Sequence, residues 1–116
     1  MAGIRRGSAA RRFSGIVIAL GVLGLSVPAW SADAARGKDL AERWCNSCHI
    51  IDNSGAGTAA DRAPPFPELA GDLTKTTPYL EGFLTVPHYP MPDLQLSRRD
   101  INDLVAHIQS LKQGKK

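Results

Sequence analysis

The sequence predicts an all-α domain of about four short helices joined by long loops. Three observations indicate this fold class. No segment alternates apolar and polar residues for long enough to form a sheet. Apolar residues recur at helical spacing between residues 101 and 111. Hydroxyl side chains that can cap a helix precede that segment and a second segment that begins near Pro78.

Residues 1–31 have the organisation of an export signal peptide and are expected to lie outside the folded domain. Four arginines form the positive start, and residues 16–27 form an apolar stretch of twelve residues. Small residues then predict cleavage after Ser31 or after Ala34. A Sec-type route to the periplasm is expected, because the arginines lack the fuller twin-arginine context. An uncleaved membrane anchor is the alternative, since residues 13–30 form an apolar stretch of eighteen.

Removal of this segment changes the charge of the chain. The full sequence has 14 Lys and Arg against 11 Asp and Glu, but residues 1–31 hold four of the arginines and none of the acids. The remaining domain, residues 32–116, has a net charge near −1, so the basic precursor does not predict nucleic-acid or membrane binding. At 82 to 85 residues, this domain has an apolar core that alone is only marginally stabilising.

The first helix of the domain is predicted from residue 33 or 34 to about Trp44, and it leads directly into residues 45–49. Residues 50–63 have a turn-forming composition without apolar periodicity, which predicts a surface loop. The proline-rich residues 63–67 are expected to be extended, because proline and the residue before it disfavour helix.

Two further helices are predicted towards the C-terminus. Thr77 followed by Pro78 is a typical helix start, and this short helix is expected to end before Pro87. Residues 97–100, Ser-Arg-Arg-Asp, have the form of a capping box with Asp in place of the commoner Glu. They open the clearest helix of the chain, which Gly114 is expected to close.

Residues 45–49, Cys-Asn-Ser-Cys-His, use both cysteines of the chain and follow them at once with a histidine. This arrangement is the attachment signature of a c-type haem. Two thiols on one helical turn, at Cys45 and Cys48, can each add to a vinyl group of the same porphyrin and form a thioether. His49 then lies under the iron and can ligate it. The sequence therefore predicts one covalently bound haem c, which also supplies core to a small domain.

Three other interpretations of the two cysteines are weaker. A structural disulfide between Cys45 and Cys48 would close a tight, strained loop that adds little stability. A thioredoxin-like site would need strands that alternate with helices around it. A zinc site would need two more ligands at suitable spacing. The sequence contains neither of these last two patterns.

The second axial ligand of the iron is predicted to be Met91, in the sequence Pro90-Met91-Pro92. Flanking prolines stiffen this loop and lower the entropy lost when a thioether is held over the iron. His88 is the rival ligand, because it lies three residues away and could replace Met91 if the loop shifts. His107 is expected to serve in helix packing or to face solvent, since it is next to the apolar face of the last helix.

At this point residues 32–116 resemble the class I monohaem cytochromes c. The residues that carry the resemblance are Gly37, Leu40, Cys45, Cys48, His49, residues 63–66, residues 90–92 and the capped last helix. The resemblance implies a cytochrome c-like fold wrapped around one haem, with His49 as the proximal ligand. It also implies that the carbonyl of Pro64, with Pro65 as the alternative, accepts the Nδ1 hydrogen of His49, and that Phe66 packs on the haem.

Two positions depart from this family's usual pattern, in which aromatic side chains meet where the first and last helices cross. The chain has Ala41 and His107 at these positions. Either the crossing is less stable, or Trp44 fills the space by another route. Trp44 and Tyr79 could also hydrogen-bond haem propionates, although an ordinary packing role is an equally good interpretation.

Iron with a protein ligand on each face has no open position for substrate, so one-electron cycling between Fe(II) and Fe(III) is its remaining chemistry. The sequence therefore predicts a monomeric electron carrier, not an enzyme, that docks transiently with redox-partner proteins at an exposed haem edge. A haem enzyme or gas sensor is the alternative if Met91 is not a stable ligand. A dedicated subunit of a periplasmic dehydrogenase or oxidase is the other alternative.

Overall fold

The computed structural model describes residues 30–86 and 88–114, together with Gly3, Gly24 and Ser26. Regular structure in these residues is helical, without strands, which confirms the predicted all-α class. The helices are α1 at Ala34–Trp44, α2 at Phe66–Gly71, α3 at Thr77–Thr85, α4 at Arg98–Ser110 and a 3-10 helix at Leu111–Gly114.

The predicted signal peptide falls almost entirely outside the residues that the structure describes. Its cleavage therefore stays a prediction. Within the described part of the chain, no helix has both the length and the apolar character that a membrane crossing requires.

Helices α1 and α4 begin where their sequences predict, because each has a strong local cap. The carboxylate of Asp33 accepts a hydrogen bond from the Arg36 backbone N–H at 3.0 Å. At α4, the Ser97 hydroxyl accepts from the Asp100 backbone N–H at 3.2 Å. The Asp100 carboxylate accepts in return from the Ser97 backbone N–H at 3.1 Å. This pair completes the predicted capping box.

Three helix boundaries differ from the prediction. The N-cap of α3 is Thr76, whose hydroxyl accepts from the Tyr79 N–H, so Thr77 is already the first helical residue. Pro65 is extended as predicted, but Phe66 begins α2. The proline after it is tolerated because the first N–H groups of a helix lack partners within the helix. At the other end of the chain, α4 ends at Ser110 and the 3-10 helix continues to Gly114.

Helix α4 lies at the centre of the domain and packs against α1, α2, α3 and the 3-10 helix. Its buried face joins apolar side chains from every other helix into one core. The buried members of this core are Leu40, Ala41, Cys45, Ile51, Phe66, Ala70, Leu80, Ile101, Leu104, Val105 and Ile108.

The crossing of α1 and α4 is closest at Gly37. A Cβ atom added to Gly37 would lie 1.9 Å from the Asp103 carbonyl oxygen and 3.0 Å from the His107 Cβ. Glycine is therefore required here, because a backbone atom leaves no room for a side chain. One turn later, Ala41 is fully buried against α4. The crossing thus combines a close approach of two backbones at Gly37 with a small side chain, Ala41, where the resembling family usually has an aromatic one.

His107 is 4% exposed, so its place is in the helix packing and not in solvent. Trp44, at 44% exposed, is outside the core that fills this crossing. The interpretation that Trp44 fills the space left by Ala41 is therefore wrong. The buried imidazole of His107 occupies this region and packs edge-on against Phe66, with 6.2 Å between ring centroids.

Buried charge also joins α1 to α4. Asp103 is 2% exposed, and its carboxylate accepts from the Asp33 backbone N–H at 2.7 Å and from the Arg36 guanidinium. Arg36 also donates to Asp100 at 2.6 Å. These contacts with Asp103 and Asp100 raise the pKa of Arg36. Hydrogen bonds from Ser97 hold the pKa of Asp100 below its usual range, and Arg36 lowers it further.

Candidate haem site

The segment that carries the cysteines continues directly from the end of α1. The Cys45 backbone N–H donates to the Ala41 carbonyl at 2.8 Å, which extends the last turn of the helix. The Cys48 and His49 backbone N–H groups then both donate to the Cys45 carbonyl, at 3.1 and 2.8 Å. One tight turn therefore brings two thiols and one imidazole together, as the spacing of the residues predicts.

Both cysteines are free thiols, so the structure does not contain the alternative disulfide. Cys45 is buried and Cys48 is exposed. Burial, with a smaller contribution from Cys48, raises the pKa of the Cys45 thiol to about 11.

The imidazole of His49 is oriented by a backbone carbonyl. Its Nδ1 lies 2.8 Å from the carbonyl oxygen of Pro64. A carbonyl can only accept, so Nδ1 carries the hydrogen in this contact, and Nε2 is the nitrogen left to ligate a metal. Pro64, and not Pro65, is therefore the residue in contact with the ring. This arrangement is the one that metal-ligating histidines commonly have.

Two further hydrogen bonds fix the residues that follow His49. The Phe66 backbone N–H donates to the Ile50 carbonyl at 2.8 Å. The Nε2 atom of His107 lies 2.7 Å from the Ile51 carbonyl. The Phe66 ring also packs against the His49 imidazole, with 5.3 Å between centroids and 44° between planes. The contact between His107 and Ile51 was not predicted, because 56 residues separate the two and no local pattern links them.

Met91 lies in a different part of the domain, between the end of α3 and the start of α4. It is partly buried and lines a cavity of about 70 Å³ together with Leu84, Val86, His88 and residues 92–96. Met91 and His88 thus lie together at this cavity. The other predicted site residues form a separate cluster, made of Cys45, Cys48, His49, Pro64 and Phe66.

His88 has protein contacts of its own beside Met91. Its Nδ1 lies 2.9 Å from the Val86 carbonyl, and its ring packs against Phe83 with 3.8 Å between centroids. These contacts hold His88 at the C-terminal end of α3. The hydroxyl of Tyr79 accepts from Lys75 at 3.2 Å, so an ordinary surface contact accounts for its position.

The residues of the cluster fit a c-type haem. Cys45 and Cys48 are the free thiols that two thioethers need. His49 holds its Nδ1 against the Pro64 carbonyl, which leaves Nε2 as the nitrogen that can ligate iron. An all-α domain with this donor set defines a c-type cytochrome.

Comparisons with known proteins agree with that class. Residues 32–108 match the family described as cytochrome c oxidase, cbb3-type, subunit III. The chain is 42% identical to cytochrome c-552 of Bradyrhizobium diazoefficiens over 98 residues, which are 84% of this chain and 93% of that protein. No solved structure matches the chain. The chain belongs to the family of small monohaem c-type cytochromes.

Membership of this family establishes the cofactor and the general activity. The cofactor is a covalently bound haem c with its iron, and the two cysteines of the chain are present for its attachment. The protein is a haem c electron carrier, and its partners are redox proteins.

Proposed function

We propose that the protein is a periplasmic one-electron carrier whose haem iron is ligated by His49 and Met91. The observation that carries this proposal is the 2.8 Å contact between His49 Nδ1 and the Pro64 carbonyl. His49 lies on the same turn as the thiols of Cys45 and Cys48. That contact directs the lone pair of Nε2 away from the protein hydrogen bond and makes it available to iron.

The bound haem supplies reversible one-electron exchange at its iron. Cys45 and Cys48 anchor the cofactor on the turn that follows α1. Pro64 and Phe66 hold the imidazole of His49 by a hydrogen bond and a ring contact. A ligand held in one orientation reorganises little when the charge on the iron changes, and small reorganisation favours rapid electron transfer.

Met91 is proposed as the second ligand because its thioether lies in a proline-flanked loop next to α3. Its neighbour His88 is already engaged by Val86 and Phe83. Those contacts favour Met91 over His88 as the ligand, since His88 would have to give them up. Methionine ligation raises the reduction potential relative to a second histidine.

We propose that the signal peptide comprises residues 1–31 and that cleavage follows Ser31. Cleavage after Ala34 would remove Asp33, whose carboxylate caps α1 and whose backbone N–H donates to the buried Asp103. Cleavage after Ser31 keeps both contacts. The family match that begins at residue 32 supports the same boundary.

One preparation tests these assignments. The full chain is expressed in a bacterium that matures c-type cytochromes, purified from the periplasm and analysed by intact mass and by absorption. We expect the mass of residues 32–116 plus one haem, and a weak far-red ferric band from methionine ligation. A mass without haem contradicts the attachment at Cys45 and Cys48. A haem-containing protein without the far-red band contradicts the ligation by Met91.

Two variants serve as controls in the same preparation. Replacement of both Cys45 and Cys48 by Ala is expected to abolish covalent haem and leave cleavage after Ser31 unchanged. Met91→Leu is expected to keep the covalently bound haem, seen in the intact mass, and to lose the far-red band.

The family match favours a second candidate function. That family is described as a subunit of a cbb3-type oxidase, so this chain could serve as a dedicated electron-transfer subunit of a periplasmic or membrane oxidase. The cytochrome c-552 relative favours a separate carrier. Size-exclusion chromatography of a gentle periplasmic extract separates the two. A separate carrier elutes as a monomer, whereas a subunit elutes with its oxidase or stays in the membrane fraction.

A further inference from the structure

Three successive residues, His49, Ile50 and Ile51, are each tied to another part of the domain by one hydrogen bond. His49 Nδ1 donates to the Pro64 carbonyl at 2.8 Å. The Phe66 backbone N–H donates to the Ile50 carbonyl at 2.8 Å. The Nε2 atom of His107 is 2.7 Å from the Ile51 carbonyl. The first two bonds join this segment to residues 64–66, and the third joins it to α4.

His107 is the one side chain from a distant helix in this set, and the surrounding packing fixes its position. It is 4% exposed, and its Cβ lies close to Gly37 at the point where α1 and α4 are nearest. Its ring packs edge-on against Phe66, and the Phe66 ring in turn packs against His49. His107 therefore reaches the His49 segment by two routes, a hydrogen bond to Ile51 and ring contacts through Phe66.

The bond to Ile51 also identifies one nitrogen of the His107 imidazole that carries a hydrogen. The Ile51 carbonyl can only accept, so Nε2 of His107 must carry the hydrogen. Phenylalanine, one aromatic residue that could stand at position 107, has no side-chain donor. A phenylalanine in place of His107 would leave the buried carbonyl of Ile51 without this partner.

We propose that His107 is a positioning residue for the haem ligand His49. It fixes the backbone just after His49 to α4, and through Phe66 it restricts the tilt of the imidazole. This inference rests on the proposed role of His49 as the proximal ligand. It goes beyond that role, because it gives a histidine outside the haem-binding sequence a share, beside the Pro64 carbonyl, in the orientation of the ligand.

The test uses the haem-loaded protein and three variants. His107→Phe keeps an aromatic ring and removes the donor. His107→Gln keeps an N–H donor near the position of Nε2. Ile101→Val lies on the buried face of α4 nearly two turns earlier and serves as a control for general destabilisation. NMR of the ferric protein measures the haem-methyl hyperfine shifts, which report the orientation of the axial ligands in the folded state.

His107→Phe is expected to redistribute the haem-methyl shifts and to make hydrogen exchange of the His49 Nδ1–H about tenfold faster in the ferrous protein. His107→Gln keeps the donor but lacks the ring, so its shift pattern and exchange rate are expected to lie closer to those of the wild-type protein than those of His107→Phe do. Ile101→Val is expected to lower the unfolding midpoint without changing either property. An unchanged shift pattern in His107→Phe would overturn the proposal, as would an equal change in Ile101→Val.

A measurement on the unmodified protein keeps the proposal testable if His107→Phe does not fold. Long-range ¹H–¹⁵N correlation of the ferrous protein identifies which nitrogen of His107 carries the hydrogen. A hydrogen on Nε2 is the expected result, and a hydrogen on Nδ1 alone would overturn the proposal. Failure of the proposed function can be told apart from failure of this inference. If His49 did not ligate the iron, the spectra of the unmodified protein would already lack the features of histidine ligation, before any variant is compared.

Discussion

The crossing of α1 and α4 and the loop that carries Met91 differ in what holds them. At the crossing, Ala41 is fully buried, His107 is 4% exposed, and the polar atoms of Asp103 have protein partners. In the loop and the helix before it, Phe83, Val86 and Tyr89 are 47%, 63% and 97% exposed. In the first region the protein's own side chains bury one another, whereas in the second large apolar side chains are exposed.

This difference indicates that one region of the domain provides stability and the other serves the haem. A close approach of two helices, tied by a buried carboxylate, positions the turn that carries Cys45, Cys48 and His49. The loop that carries Met91 depends less on the core, and under the proposed ligation a bound haem would give it apolar surface to pack on. Substitutions at Gly37 and Asp103 should therefore affect mainly stability, while substitutions in the loop should affect the iron.

The largest effect on stability is expected at Gly37. Gly37→Ala puts a methyl group 1.9 Å from a backbone oxygen of Asp103, so the helices must separate. We expect a loss of about 3 kcal/mol or more in the free energy of unfolding, measured by chemical denaturation. Gly82, in α3, has open space where its Cβ would be. Gly82→Ala is the control and should gain about 0.5–1 kcal/mol, and equal losses in both variants would contradict this description of the crossing.

A smaller loss is expected at the buried carboxylate. Asp103→Asn keeps the size of the side chain but removes the charge that faces Arg36 and the Asp33 N–H. We expect the free energy of unfolding to fall by about 2 kcal/mol. Asp39→Asn makes the same change of charge at an exposed position of α1 and should alter it by less than about 0.5 kcal/mol. Similar effects in the two variants would show that the buried contacts do not matter.

In the loop, Met91→Leu is expected to cost only about 1 kcal/mol in packing, because leucine has nearly the same volume. Its effect on the iron should be much larger: the far-red ferric band disappears and the reduction potential falls. His88→Asn, three residues away, should keep the band. Loss of the band in His88→Asn with retention in Met91→Leu would reverse the assignment of the ligand.

The smallest effect on stability is expected when the pH is lowered and the capping-box residue Asp100 of α4 takes up a proton. The pKa of Asp100 is lowered in the folded protein, mainly by Ser97 and then by Arg36. The folded state therefore binds its proton less readily than the unfolded state, which stabilises the fold above the ordinary pKa of aspartate. This contribution is lost as the pH falls through the lowered pKa. Asp100→Asn should flatten the fall in thermal midpoint between pH 5 and pH 3, and an unchanged slope would contradict it.

The sequence predicts those parts of the fold that depend on neighbouring residues. The caps at Asp33 and Ser97 satisfy their own helices, so the starts of α1 and α4 are readable locally. Helix α2 was not predicted for two reasons. Prolines favour an extended backbone just before it, and the helix has only six residues, fewer than two turns. The start of α3 was misplaced by one residue because Thr76 and Thr77 are equally able to cap.

Contacts between distant residues could not be read in this way. The resemblance to class I cytochromes c implied a role for Pro64, and the structure places its carbonyl against His49. Nothing in the sequence relates His107 to Ile51 or Arg36 to Asp103, because these pairs meet only after α4 packs on the rest of the chain. The unusual residues Ala41 and His107 indicated that the helix crossing departs from the family pattern, but they did not predict the hydrogen bond between His107 and Ile51.

The central claim is that His49 and Met91 both ligate the iron, so that the protein carries electrons and does not bind substrate at the metal. Addition of carbon monoxide to the purified ferrous protein at neutral pH tests it most directly. We predict an unchanged absorption spectrum, together with a single reversible one-electron step in a redox titration. Rapid, reversible formation of a carbon monoxide complex would contradict the claim and favour a haem enzyme or gas sensor.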